Sequence, residues 1–518
     1  MNERIAQAFS LLPNYLAQHV LLSAAALALG VALSLPLAVL ASRYARIRWP
    51  ILAAASLVQT IPGLALLALF YPLLLGISAL LKTLVGIGVP ALGFLPSVSA
   101  LTLYSMLPIL RNGVAGLTGL PPAILEAADG VGMTPRQKLF RVEAPLAAPM
   151  VMAGVRTAAV WTVGAATLST AVGQTSLGNF IFSGLQTENW IFVLFGCAAA
   201  AALALAADQL LGLVEIGAAR RDPRRFGLGL AGLALGTAAA LVPLFAAASK
   251  TYVIGAKNFS EQFILSEMIG ERLERQGLSV RHKDGLGSAV VFRALASGDI
   301  DCYVDYSGTL WTNVLEHRDS PSREAMLEAL TRELKERFGV TLLGALGFEN
   351  AYALAMRADR ATAIKVRSIA DLAREAPQLK LGSDLEFLSR PEWAALRDAY
   401  GLRFQAERSF SPTFMYRALE NGEVDVISAF SSDGRIAAQK LAVLDDPKHA
   451  IPAYDAVILV SPQRADDAAL KQALAPLIGA IPVERMREAN FMVDRDTDKA
   501  SPKEAAGFLA KTLNLPGS

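Results

Sequence analysis

LVPLFAAASKTYVIGAKNFSEQ, residues 241–262, is where the chain changes character. Before it the sequence is apolar and nearly free of charge. From Lys250 a short β-branched run, Thr251–Ile254, leads into Gly255-Ala256-Lys257-Asn258-Phe259, and Gln262–Gln276 then has helical spacing with a stop at Gly277. The charges divide at the same point. Residues 1–248 hold 14 Lys/Arg against 8 Asp/Glu, a net of +6, and residues 249–518 hold 34 against 38, a net of −4, around a whole-chain charge of +2. A charge-poor half followed by a charge-rich one predicts a membrane domain over 1–248 and a soluble domain over 250–518.

A bilayer core about 30 Å thick takes about 20 apolar residues per helix. Six stretches qualify: 15–42, 51–75, 92–110, 146–170, 189–217 and 227–248. Arg43, Arg46 and Arg48 follow the first. Arg111, Arg136, Lys138 and Arg141 follow the third, and Arg220, Arg221, Arg224 and Arg225 follow the fifth. The alternate connections hold little positive charge beyond Lys82. Basic loops stay on the cytoplasmic side, so the N-terminus and everything after residue 248 are expected outside. Met1–Gln18 has a single Arg and no basic leader region, so the first span is read as retained. Arg156, Asp208 and Glu215 lie in or near spans, where charges are costly. Pairing among them is at least as good a reading as a role on a solute path.

After residue 250 the pattern alternates. Leu278–Lys283 reads as a strand, Ser288–Ser297 as a helix ending at Gly298, and Asp299–Asp305 as a strand. Similar alternation recurs through 351–460, and 466–513 reads as helical. This predicts open α/β sheets. The length exceeds one lobe and fits two lobes around a cleft that closes by hinge motion. Lys250 follows the last span almost directly, so the tether is short and holds the soluble domain at a high local concentration.

Several classes are disfavoured. No long basic run is present, so nucleic acid is not an expected partner. His19, His282, His317 and His449 are scattered without ligand spacing, and no metal or cofactor is expected. Cys197 and Cys302 fall in different domains, so no disulfide is expected. No Gly-rich loop ends in Gly-Lys-Ser/Thr, so any ATP hydrolysis belongs to another chain and this one is not read as an enzyme.

The connection over about 112–145 carries Glu126-Ala127-Ala128-Asp129-Gly130-Val131-Gly132 and then Val142-Glu143-Ala144-Pro145. Pro121 and Pro122 open a helix, Ala123–Ala128 continue it, and glycines end it. This resembles the loop by which permease subunits of ABC importers dock on their ATPase, with Val142 and Ala144 in place of the usual Ile and Leu. The resemblance implies a type I permease, all-α and polytopic with about six transmembrane helices. Its coupling loop is 122–145, with Glu126, Ala127, Ala128 and Gly132 as coupling residues. It further implies a homodimer in the lipid of a bacterial inner membrane and an ATPase subunit supplied in trans. Ala153-Gly154-Val155-Arg156-Thr157-Ala158 and Leu177-Gly178-Asn179-Phe180-Ile181-Phe182 are similar to the quaternary-amine branch of these permeases.

Across nearly all of 251–512 the chain is similar to solute-binding proteins for glycine betaine, choline and carnitine. The motifs are Phe259-Ser260-Glu261-Gln262, Asp305-Tyr306-Ser307-Gly308-Thr309, Gly347–Leu354, Ala429–Arg435 and Pro452–Asp455. The implied fold is the two-lobed α/β periplasmic-binding-protein fold (type II), with lobe 1 at about 250–356 and 460–518 and lobe 2 at about 357–459. A trimethylammonium group is cationic but has no N–H to donate, so aromatic faces select it, each giving about 0.5–2 kcal/mol. The resemblance points to Tyr306, Tyr352, Phe430 and Tyr454 for the cage, with Gln262 and Thr309 as polar contacts. Arg435, Asp433, Glu386 and Arg390 are read as either binding a carboxylate or imidazole of the ligand or forming hinge salt bridges, evenly for Arg435 and toward salt bridges for the others. Trp311 and Phe410 are read as packing. Ergothioneine, a trimethylammonium betaine with a thio-imidazole, is the rival solute. A ligand-gated channel or sensor is the rival class, disfavoured because the binding domain is uninterrupted and a docking loop is present.

Overall fold

The computed structural model describes residues 2–513 apart from 87–88, 187–188, 221, 247–250, 318, 320, 449 and 496. Arg221, His449 and the Lys250 tether thus lie outside the described residues. The chain forms two compact units, 1–182 with 191–248 and 183–190 with 249–518.

The first unit is helical. Six helical stretches among the described residues are long and apolar enough to cross a membrane: Ala8–Arg43, Gly63–Val85, Phe94–Thr118, Pro135–Val172, Trp190–Arg220 and Pro223–Val242. The expected second span, 51–75, is corrected. The helix Ala45–Thr60 ends there and a new one runs over Gly63–Val85. Pro62 disfavours helical backbone at Ile61, which is extended with φ −75° and ψ 126°. Phe94–Thr118 is the central helix and buries Leu101, Leu107, Ile109 and Leu110. His19 is satisfied at both ring nitrogens, Nε2 against the Val163 carbonyl at 3.0 Å and Nδ1 accepting from the Leu177 N–H at 3.3 Å. Arg156 takes Asp208 in two parallel bonds of 2.9 and 2.8 Å, and Glu215 in a third of 2.8 Å. Pairing is how these intramembrane charges are accommodated.

In the second unit the strands are β1 Thr251–Lys257, β2 Ser279–Leu286, β3 Cys302–Tyr306, β4 Thr341–Glu349, β5 Tyr352–Arg357, β6 Lys380–Ser383, β7 Ala406–Ser409, β8 Val426–Phe430, β9 Leu441–Val443 and β10 Asp455–Val460. They form two five-stranded sheets, in the orders β2-β1-β3-β10-β4 and β7-β6-β8-β5-β9. In each sheet the parallel strands follow the βαβ alternation of the sequence. The antiparallel members, β10 against β3 and β4 and β5 against β8 and β9, arise where the chain crosses between sheets. The crossings are Asn350-Ala351 and the segment between β9 and β10. The helix Ser260–Glu274 buries Phe263, Ile264, Met268 and Ile269, the apolar face that lays it on the first sheet.

Burial raises five carboxyls in this unit: Glu267 to about 7, Asp284 and Asp494 to about 6, and Glu261 and Asp384 upward as well. Between roughly pH 4 and 7 the folded state therefore holds protons that the unfolded chain has lost, and its stability falls as pH rises through that range. Scanning calorimetry should give this unit a higher unfolding midpoint at pH 5 than at pH 8. The reverse order would contradict the assignment.

Candidate functional site

Aromatic side chains from separate elements meet where the two sheets face each other. Tyr352 and Phe430 are register partners across β5 and β8, which brings their rings to 5.0 Å. Tyr454, just before β10, stands edge-on to Tyr352 at 5.9 Å. On the other side Phe259 lies parallel to Phe430 at 6.1 Å and 3°, and stacks toward Tyr306 at 6.2 Å and 25°. The five rings form an arc, Tyr306–Phe259–Phe430–Tyr352–Tyr454, along a cavity of about 150 Å³.

The motif Asp305–Thr309 builds one wall, each residue with a separate task. Asp305 takes the buried Lys257 ammonium and the Tyr306 N–H. Ser307 donates to the Ala453 carbonyl at 2.9 Å and accepts from the Asp455 N–H at 2.8 Å, which fixes the segment carrying Tyr454. At Gly308 a Cβ would lie 2.5 Å from the Tyr454 ring, so only glycine lets that ring close on the wall. Thr309 lines the cavity.

Of the expected ligand residues, Tyr306, Thr309, Tyr352, Phe430 and Tyr454 line this cavity, and Gln262 and Arg435 do not. Gln262 lies behind the wall. Its amide donates to the Tyr306 hydroxyl at 3.0 Å and its carbonyl accepts from the Lys257 N–H at 3.2 Å, so it orients a ring. Arg435 belongs to a smaller cavity of about 30 Å³, where it pairs with Asp433 at 2.7 Å and Asp494 at 3.8 Å and lies 4.0 Å over the Tyr416 ring. Asp433, two residues earlier in its own loop, already occupies it. Trp311 packs on His317 at 4.1 Å, as expected.

The sequence reading missed Phe259 and undervalued Arg390. Phe259 was legible as the aromatic that joins a strand end to a helix start in a quoted motif. Arg390 lines the cavity with its guanidinium 5.4 Å over the Tyr352 ring. One terminal nitrogen, Nη2, donates to Glu386 at 2.5 Å and to Ser288 at 3.2 Å. Among the described residues its Nε and Nη1 are buried without a hydrogen-bond partner, with Nη1 3.8 Å from the Glu392 carboxylate. Burial acts against the Arg390 charge, but Tyr352 and Glu386 outweigh it, and the net shift is upward, so the group stays cationic. Glu386, opposed by burial but held by Arg390, is shifted downward and stays anionic. Burial lowers Lys257 and raises Asp384, which also line the cavity. Among the described residues no cluster of His, Cys, Asp or Glu is arranged to hold a metal ion.

In the first unit the loop expected to couple forms the helix Pro122–Gly130. Glu126 and Ala127 are exposed on it and Ala128 is buried. Gly132, at φ +77°, turns the chain in a conformation other residues resist. Asp129 binds Lys138 at 2.7 Å across the turn, and Val131 and Phe140 are exposed beside it.

Comparison with known proteins agrees with this division. Residues 250–511 match the family described as the substrate binding domain of ABC-type glycine betaine transport systems. Residues 30–217 match the inner membrane component of binding-protein-dependent transport systems. The chain is 29% identical over 483 residues to an ergothioneine transport permease/ergothioneine binding protein of Helicobacter pylori (strain G27), covering 90% of this chain and 84% of that protein. Its membrane half is 36% identical over 198 residues to a choline transport system permease protein of Bacillus subtilis (strain 168), covering 38% of this chain and 84% of that protein. Its soluble half is 30% identical over 273 residues to a carnitine transport binding protein of Listeria monocytogenes serotype 1/2a (strain 10403S), covering 52% and 88%. The chain belongs to the family of substrate-binding domains of ABC-type glycine betaine transport systems, and it joins that binding domain to the inner membrane component of a binding-protein-dependent transport system.

Proposed function

We propose that the soluble half captures a zwitterionic quaternary amine and passes it to its own permease. The observation that carries this reading is one cavity with two chemistries: an arc of aromatic faces and, at its edge, a guanidinium with two buried, unpartnered donors. The faces suit a trimethylammonium group, and the Arg390 guanidinium, with hydrogen-bonding capacity left over at Nε and Nη1 among the described residues, suits a carboxylate. Glycine betaine, carnitine and ergothioneine carry both groups; choline has no carboxylate. The Helicobacter relative is named for ergothioneine and the Listeria relative for carnitine, which supports the same class. In this reading residues 250–518 are the binding domain; the expected lobe limits near 356 and 460 move to the two crossings, because β5 belongs to the second sheet and β10 to the first, so lobe 1 spans about 250–349 and 455–518 and lobe 2 about 352–443.

Calorimetric titration of the purified full chain tests it. The three carboxylate-bearing amines should bind in the micromolar range and choline at least about tenfold more weakly. Tight choline binding with the others silent would leave the cage and remove the carboxylate site. Silence from all four would overturn the reading.

Residues 1–248 act as a permease homodimer in the bacterial inner membrane, with the N-terminus and the binding domain on the extracytoplasmic side. The positive charge at Arg43, Arg46, Arg48, Arg136, Arg141, Arg220, Arg224 and Arg225 supports that orientation. A separate ATPase, docked through 122–145, supplies the energy. The exposed Glu126, Val131 and Phe140 around the Gly132 turn support that role for the loop. Gly132→Val forces a β-branched residue into left-handed backbone and should reduce ligand uptake by whole cells at least about tenfold, with solute affinity unchanged. Normal uptake would count against the loop as the ATPase contact.

A further inference from the structure

Glu261 opens the helix Ser260–Glu274 and is almost fully buried, yet among the described residues no cation is paired with it. Four neutral donors hold its carboxylate. Oε1 accepts from the Tyr306 hydroxyl at 2.6 Å and from the Asn350 amide at 3.0 Å. Oε2 accepts from the Ser432 hydroxyl at 2.5 Å and from the Asn490 amide at 2.7 Å. These donors come from four places that matter together. Tyr306 ends β3 and forms one end of the aromatic arc. Asn350 is the crossing between the sheets, and its own N–H donates to the Tyr454 carbonyl at 2.9 Å. Ser432 follows β8 in the second sheet. Asn490 lies in the helix Val483–Asp494 and also donates to the Ser432 carbonyl at 3.0 Å.

A buried carboxylate is costly unless its donors are all in place. Three of these donors come from lobe 1 or the crossing, and only Ser432 is carried by lobe 2. Moving the lobes apart therefore removes Ser432 and leaves Oε2 with one donor. Returning it completes the shell of the same carboxylate whose other oxygen anchors the Tyr306 hydroxyl. Resting on the binding-site reading above, we infer that Glu261 is a positioning residue that couples lobe closure to the orientation of the Tyr306 cage ring. Such coupling is reciprocal: whatever fixes Tyr306 favours closure, and closure fixes Tyr306.

Two conservative variants isolate the two arms without deleting the carboxylate. Tyr306→Phe keeps the aromatic face and removes the hydroxyl; Ser432→Ala removes the lobe 2 donor. Both, and their combination, are made in the full chain with Cys197→Ser, because Cys197 is exposed. Spin labels are placed at Glu328→Cys and Asp398→Cys, exposed positions in lobes 1 and 2. In the ligand-free protein each single variant should shift the interlabel distance toward the longer, open population. The double variant should match the more open single variant, as coupled sites require. With glycine betaine, choline, carnitine or ergothioneine as probe, whichever binds, Ser432→Ala should dissociate about tenfold faster at an unchanged association rate. A loosened fold would instead lower the unfolding midpoint and leave that kinetic split absent. Unchanged distances, or shifts that simply add, overturn the inference. If none of the four amines binds the parent chain, the ligand reading fails while the distance measurement still decides the role of Glu261.

Discussion

Tyr352→Ala should weaken binding of a trimethylammonium ligand by about thirtyfold, the equivalent of about 2 kcal/mol for one desolvated aromatic face. Tyr352 is the ring with most at stake, because it touches Phe430 and Phe387 at 5.0 Å, Tyr454 at 5.9 Å and the Arg390 guanidinium at 5.4 Å. Removing it takes one ring neighbour from each of Phe430, Phe387 and Tyr454 and leaves a cavity that also destabilises the fold. Two companions separate these effects. Tyr352→Phe keeps the face and should bind within about threefold of the parent, since a phenolic hydroxyl adds little to cation–π attraction. Tyr352→Leu fills most of the volume without a π system, and should lose nearly as much affinity as the alanine variant while restoring the unfolding midpoint. Calorimetric titration of all three decides the matter. A leucine variant that binds like the parent would show that Tyr352 supplies volume rather than a face.

The division of the chain was legible because two solvents impose two compositions: the 14 and 8 charges of the first half against 34 and 38 in the second need no structure to interpret. The order of strands and helices after Thr251 was legible for a similar reason, since periodicity changes at each Gly stop. The interrupted second span was legible in principle. Pro62 disfavours helix at the residue before it, but hydropathy alone runs smoothly across 51–75. At the candidate site, Tyr306 and Thr309 were legible from a short motif and are brought to the cavity by their own neighbours. Tyr352 and Phe430 face one another through strand register, which a motif does not state.

The misplaced residues share another trait. Gln262 and Arg435 are polar groups in family motifs, and motif membership alone does not say whether a side chain meets the ligand or the residue that does. Gln262 turned out to hold Tyr306, and Arg435 to hold Asp433. Arg390 sits in the loop between β6 and the helix Pro391–Tyr400, where no local periodicity constrains it. Its importance comes from what surrounds it in space: Tyr352 from β5, Ser288 from lobe 1 and Glu386 four residues before it. Local sequence fixes backbone and caps; charge balance in a cavity is a property of the assembled lobes.

That balance yields the sharpest test of ligand class. Arg390→Met keeps much of the side-chain volume and removes the charge. Carboxylate-bearing amines should then lose at least about a hundredfold in affinity, because a charge-assisted contact to a buried carboxylate is worth about 1.5–3 kcal/mol and the ligand carboxylate is also left unpaired. Choline should respond in the opposite sense. With Arg390 gone, Glu386 and Glu392 lose their cation and stand beside the aromatic arc, adding attraction for a quaternary cation that brings no carboxylate of its own. Choline affinity should therefore hold or rise, and preference between glycine betaine and choline should invert. Titration of both ligands against parent and variant reads this directly. An equal loss for both would place Arg390 in the architecture of the cleft, closing the lobes through Ser288 and Glu386, and would remove it from the set of residues that choose the solute.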